Sequence, residues 1–201
     1  MFNKTATRLT ENLIKNQIIS ESDSEIYRFG FETGFVLLVN VAVTLSFGFI
    51  LGMPIESIIV LLVLIPLRSC AGGIHASNNI KCIILSTFLF SIVLIASRFS
   101  QSITSIAMIL VLGIACSIII LALAPVQDAN KPIKKDEART LKQRTLKVLL
   151  IEIAILSLLL FLGFNLAATV LAFTLFLVCI SVSVGALRNY ITRTGNETTI
   201  N

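Results

Sequence analysis

The sequence predicts an all-α polytopic membrane protein, with about six transmembrane helices and an N-terminal amphipathic interfacial helix. Three observations carry this. Of the 201 residues, 56% are hydrophobic and only 13% charged, with a mean hydropathy of +0.94. A soluble domain of this size has too little interior for that much apolar surface, so the bilayer is its natural solvent. The apolar residues gather into six segments, near 33–52, 54–71, 80–99, 103–124, 147–164 and 166–187, each close to the ~20 residues that a helical span requires. The basic residues between these segments are strongly one-sided, as they are in multi-pass proteins.

Residues 1–32 are polar and mixed in charge. Phe2, Ala6, Leu9 and Leu13 recur at helical spacing, with Lys4, Arg8, Glu11 and Lys15 elsewhere on the wheel. This describes an amphipathic helix lying on the membrane surface; a helix packed on a partner loop fits the same pattern. No early apolar core marks a cleavable signal, so the first span is expected to act as its own insertion signal. Tryptophan is absent, which leaves Tyr27, Tyr190, phenylalanines and basic residues as interfacial anchors.

The membrane domain is expected over 33–187. Its second segment is the weakest, because Glu56, Pro66 and Arg68 interrupt it, and a re-entrant path is the alternative to a full span. Gly52-Met53-Pro54 and Gly163-Phe164-Asn165 read as tight turns between antiparallel helices. Residues 125–147 form the one long loop, basic throughout and helical from about Lys134. The stretch 188–201 is a short tail.

Charge counting sets the orientation. With both termini cytoplasmic, the inside segments hold four Lys/Arg in 1–32, then Arg68 and Lys81, then seven in 125–147, then Arg188 and Arg193; only Arg98 falls outside. This bias predicts a multi-pass membrane protein with both termini and the segment 68–82 on the cytoplasmic side. It also accounts for the net charge of +5 without nucleic acid: the basic residues sit beside apolar spans, where topology and anionic lipid explain them.

The chemistry-bearing residues lie in Arg68-Ser-Cys-Ala-Gly-Gly-Ile-His75-Ala-Ser-Asn-Asn-Ile-Lys-Cys82. The chain's only histidine is seven residues from a cysteine, the minimum equipment of a thiol-nucleophile site. Ser77, Asn78 and Asn79 are good N-cap residues before the apolar run from Ile80. A helix starting there puts Cys82 in or just after its first turn, where the helix dipole and Lys81 favour the thiolate. Seven residues of unbroken helix would separate His75 from Cys82 by about 10.5 Å, so cooperation requires a break between them. Gly72-Gly73 suits a simple turn, or close approach of an extended peptide and an oxyanion-binding turn. Arg68 is either a clamp for a substrate carboxylate or a topology marker. Ser77, Asn78, Asn79, Gln127 and Asp128 are candidate orienters of His75, among which the sequence does not choose. Cys116 and Cys179 read as small core hydrophobes. His75, Cys70 and Cys82 lack a fourth ligand and standard zinc spacing, so neither a metal nor another cofactor is expected. The basic loop fits an acidic peptide tail or the membrane surface equally.

The pattern Arg68…Ala71-Gly72-Gly73-Ile74-His75-Ala76…Cys82, followed by Ala124-Pro125-Val126…Asn130-Lys131-Pro132-Ile133, resembles the AgrB family, the accessory gene regulator B peptidases of Gram-positive bacteria. The resemblance covers nearly the whole chain. It implies a membrane cysteine endopeptidase of quorum sensing that cuts an AgrD-like pro-peptide and cyclises it to a thiolactone or lactone. Cys82 would be the nucleophile and His75 the base. Arg68 and Gly73 match positions needed for activity, and Lys131 matches the basic loop. A homodimer in the bacterial cell membrane is also implied. The competing classes are a small exporter of a signalling peptide and a non-catalytic scaffold. The exporter is disfavoured because Glu56 and Glu152 are the only acidic residues within the segments, both near ends, with no paired charge at mid-depth.

Overall fold

The computed structural model describes residues 2–72, 79–101, 103–126 and 135–198, and within them the side chains of 4–72, 83–101, 103–126 and 137–191. The elements are α1 (Phe2–Lys15), a 3-10 turn (Glu21–Asp23), α2 (Ser24–Ile50), α3 (Pro54–Ala71), α4 (Asn79–Ser100), α5 (Ile106–Leu123), α6 (Lys135–Phe161) and α7 (Asn165–Thr198). Among the described residues, regular structure is helical apart from one isolated parallel bridge, Gly72 with Val126. The chain is an all-α polytopic membrane protein.

The helices stop where the local chemistry stops them. After α1, Gln17 takes φ 55°, and the Ile18 amide donates to the Leu13 carbonyl while that of Gln17 donates to Ile14. This is the Schellman arrangement, which satisfies the last carbonyls of a helix. The same pair of bonds closes α2 at Gly52, where φ is 68°, and Pro54 then opens α3 at a position that needs no amide donor. It recurs at the end of α6, from Phe164 to Leu159 and from Gly163 to Leu160.

Two boundaries differ from the sequence expectation. The helix of the first span begins at Ser24, well before 33, because Glu25, Arg28 and Glu32 are compatible with helix at i, i+3 and i+4 spacing and nothing breaks the chain. The last helix runs on to Thr198, through the expected tail, since no proline interrupts it. Within α1, Ala6 and Thr10 are buried, and the Thr10 hydroxyl donates to the Ala6 carbonyl. Leu9 is exposed and Leu13 half-buried, so only one flank of the expected apolar stripe packs on the protein.

Among the described residues, five helices are long and apolar enough to cross a membrane: those within Glu21–Ile50, Pro54–Ala71, Ile83–Ser100, Ile106–Leu123 and Asn165–Ile191. The fifth apolar segment of the sequence is the second half of α6. Its stretch 148–161 is shorter than the ~20 residues of a full span and carries Glu152, so the count of six is approximate. The bundle is built around α7, whose Ala168, Leu171, Leu175, Val178 and Val182 are buried. Half of its apolar window is buried, against 11% for that of α2. Large apolar side chains elsewhere face outward, among them Phe49, Ile50, Phe99 and Phe161, the surface expected of helices solvated by lipid. Arg98 ties α4 to the end of α2 by donating from Nη1 to the Leu51 carbonyl at 3.0 Å.

Candidate active site

The site is built where the end of α3, which precedes α4 in the chain, meets the end of α5. α3 reaches Ala71 despite Pro66, whose missing amide deprives the Leu62 carbonyl of its i+4 donor. Arg68 is in the last turn, half-buried. The Ser69 hydroxyl donates to the Pro66 carbonyl at 2.7 Å and lies 3.6 Å from the Cys70 sulfur. The helix ends at Gly72, whose amide donates to the Arg68 carbonyl at 3.2 Å. Its φ of 76° and ψ of −150° fall in a region that is essentially glycine's alone.

A distant segment locks this turn. α5 ends at Ala124 in extended backbone, the Ala124–Pro125 peptide is cis, and the Val126 amide then donates to the Ala71 carbonyl at 2.9 Å. Val126 thereby pairs with Gly72 in the isolated bridge, and both Ala124 and Val126 are buried. A Cβ on Gly72 would collide with the Val126 carbonyl oxygen. The first residues of the basic loop and of the His/Cys segment are therefore held side by side.

α4 is described from Asn79, and the backbone of Cys82 lies in it, three residues further on. The side chain of Cys82 lies outside the described residues, as do His75, Gly73, Ser77, Asn78 and Lys131 and the possible orienters Gln127 and Asp128. Cys70 is a free, half-buried thiol, and Cys116 and Cys179 are free thiols in the buried core. Among the described residues no group of His, Cys, Asp or Glu is arranged to hold a metal.

Two features escape sequence reasoning. One is the pairing of Val126 with Gly72. The other is the burial of Glu152, which is 4% exposed with neither carboxyl oxygen bonded. It borders a cavity of about 270 Å³ between α3 and α6. The available signal is that it is the one ionisable residue in the apolar half of its helix.

These features define a polytopic helical membrane protein in which Val126, where the basic loop begins, pairs with the glycine that ends α3 just before a His/Cys segment. The chain belongs to the family described as Accessory gene regulator B, whose model matches residues 6–183. It is thus a membrane protein involved in agr quorum-sensing peptide processing. No curated protein and no solved structure matches the chain.

Proposed function

We propose that this protein is the cysteine endopeptidase of an agr-type system, cutting the C-terminal part from an AgrD-like pro-peptide and cyclising the remainder. The observation that carries the reading is the place of Cys82 close to the N-terminal end of the described part of α4, in a family of peptide-processing membrane proteins. Amides at a helix N-terminus stabilise negative charge on a nearby sulfur. His75 is the base, on a chain that has already left helix at Gly72.

The chemistry proceeds in two transfers. His75 takes the thiol proton of Cys82, and the sulfur attacks the scissile carbonyl. The C–N bond breaks, the leaving amine receives the proton from His75, and the pro-peptide is held as a thioester. An internal Cys or Ser of the peptide then attacks that carbonyl, the S–C bond to Cys82 breaks, and the thiol is restored as the thiolactone or lactone ring closes. A thioester retains enough acyl reactivity for this exchange, so water must be kept from it. A nucleophile at the edge of an apolar bundle meets that requirement. Arg68, Gly72, Gly73, Ser77, Asn78 and Lys131 are the candidate substrate-binding or oxyanion residues. The working protein is a homodimer in the cell membrane, with both termini and the segment 68–82 cytoplasmic.

Co-expression with a pro-peptide encoded beside the gene, followed by intact-mass analysis, tests this. The expected result is a peptide adduct on Cys82 that disappears in Cys82→Ala. Normal processing by Cys82→Ala would overturn the mechanism and leave an exporter or scaffold.

A further inference from the structure

The cavity of about 270 Å³ between α3 and α6 is an apolar groove. Its walls include Ile59, Leu62 and Pro66 of α3 and Val148, Ile151 and Ile155 of α6. Leu62 is 68% exposed and Ile151 60%, so the groove opens sideways, toward hydrocarbon. Glu152 also borders it, but both carboxyl oxygens are buried and neither is offered to an occupant.

What lies at the end of the groove follows from the topology. α6 reaches α7 through the turn at Gly163, and the start of α7 shares a second cavity with Gln101 and Ile106. Ile106 begins α5, whose 18 residues rise roughly 27 Å toward the end where Val126 pairs with Gly72. α6 therefore runs antiparallel to α3, and its basic half lies at the Gly72 end of the groove. Arg144 and Lys147 are exposed and are the last basic residues before the apolar half of α6, which sets them at headgroup level. Arg144 stands four residues before Val148, and Lys147 four before Ile151. At 3.6 residues per turn, both cations head the helix face that walls the groove. On the facing helix, Ser69 and Cys70 follow Pro66 at i+3 and i+4, small side chains that leave room beside the cations.

We propose that this groove binds an anionic phospholipid, with one acyl chain lying between α3 and α6 and the headgroup phosphate held by Arg144 and Lys147. The site does not depend on the peptidase reading. Charge complementarity selects the occupant. A groove that is apolar along its length and cationic at its headgroup end matches a molecule that is apolar along its length and anionic at one end. The Arg144 guanidinium suits the geometry of a phosphate, and the Lys147 ammonium adds a point charge. A second copy of the chain is a poor match. Two copies share one orientation in a membrane, so a two-fold axis along its normal would set identical pairs of cations against each other at one depth. Occupancy also has a structural consequence. Pro66 deprives α3 of one helical hydrogen bond, and an acyl chain packed across it braces the helix that ends at Gly72.

The test uses the full-length protein in phosphatidylcholine vesicles. The probes are phosphatidylglycerol and phosphatidylcholine carrying the same photoreactive acyl chain, each at the same low mole fraction, with labelled residues mapped by mass spectrometry. The phosphatidylglycerol probe is expected to label the groove around Leu62 and Ile151 about tenfold more strongly than the phosphatidylcholine probe. At Phe88 of α4 and Ile118 of α5, which are exposed elsewhere on the bundle, the two probes should differ little. Arg144→Gln with Lys147→Gln should erase the groove preference. Arg139→Gln with Lys142→Gln removes the same charge from exposed positions on other faces of α6 and should leave it in place. Equal labelling of the groove by both probes overturns the site, as does a preference that survives Arg144→Gln with Lys147→Gln. A preference lost equally in both double variants overturns it by making a diffuse basic field the cause. A groove labelled by neither lipid in dimeric protein overturns it by making a second copy the occupant. The comparison of the two lipids uses the unaltered chain, so a misfolded variant would not shield the proposal.

Discussion

Replacing Gly72 by alanine probes the junction between the basic loop and the His/Cys segment most directly. The backbone there has φ 76° and ψ −150°, and holding a residue with a Cβ in such a region costs on the order of 1–3 kcal/mol. The added carbon also collides with the Val126 carbonyl oxygen, which is backbone and cannot swing aside as a side chain would. Relief requires the two strands to part, giving up the Val126 to Ala71 hydrogen bond of 2.9 Å, a further net loss of about 0.5–1.5 kcal/mol. The combined shift, roughly 2–4 kcal/mol, moves the ratio of joined to parted junction by one to three orders of magnitude.

Because α3 and α5 are otherwise untouched, the damage should stay local. Amide hydrogen exchange at Val126 should accelerate, helicity should hold, and pro-peptide processing should fall at least about tenfold by the same free-energy conversion. Val126→Pro removes the donated amide without altering Gly72 and should reproduce the defect. Gly30→Ala serves as the control, since nothing lies within 4 Å of a Cβ there, and a mid-helix glycine replaced by alanine is expected to stabilise by roughly 0.5–1 kcal/mol. Unchanged exchange at Val126 together with full processing in Gly72→Ala would refute the idea that this turn is locked.

Cys116→Ala and Cys179→Ala should each retain processing, because both thiols are buried in the core away from α4's first turn; lost activity in folded protein would contradict this. Reporter fusions after Ser20, Ser77, Lys135 and Thr198 should read cytoplasmic and a fusion after Gln101 external, and an external Ser77 would remove the thiol from the compartment in which the pro-peptide is made. Glu152→Leu should raise the thermal midpoint in detergent, since it removes a buried carboxyl without partners worth about 1–3 kcal/mol of penalty; a lowered midpoint would mean the carboxyl is satisfied within the protein.

What was legible in the chain followed locality. Apolar run lengths located the helices, and the Gly-Met-Pro turn after α2 gave its stop and the next start. The apolar run from Ile80 placed the backbone of Cys82 in a helix, where α4 has it. Boundaries failed where no local signal changes. The start of α2 at Ser24 and the continuation of α7 to Thr198 are helix extended through polar residues that neither break nor require it. Hydropathy separated the charged and apolar halves of α6, although the chain runs through both as one helix. Gly72 could be suspected of a special conformation from its type alone. Its partner could not, because pairing with Val126 depends on how α3 and α5 pack, and no periodicity links segments so far apart. Arg98, likewise, was legible as a lone external charge but not as the group that ties α4 to the Leu51 carbonyl.

The same distinction explains how Glu152 was passed over. Averaged along the sequence, one carboxylate near the end of an apolar run looks like a residue that reaches back to the interface. Burial is decided by the face it occupies, and α6 turns that face inward between α3 and α7, where Leu149, Leu156 and Leu160 are also buried. A helix with several basic residues ahead of its apolar half is poorly suited to serve as an independent span, yet well suited to lie against α3 below the catalytic segment. On the proposed reading, that single placement does two things. It carries the basic loop's second half up to the membrane surface, where an acidic stretch of peptide can be attracted. It also buries one carboxyl beneath, among the apolar side chains of the bundle. Attraction at the basic half of α6 would hold the substrate near α3 before its carbonyl reaches Cys82, which is the kind of positioning that a thiol with a single histidine partner requires.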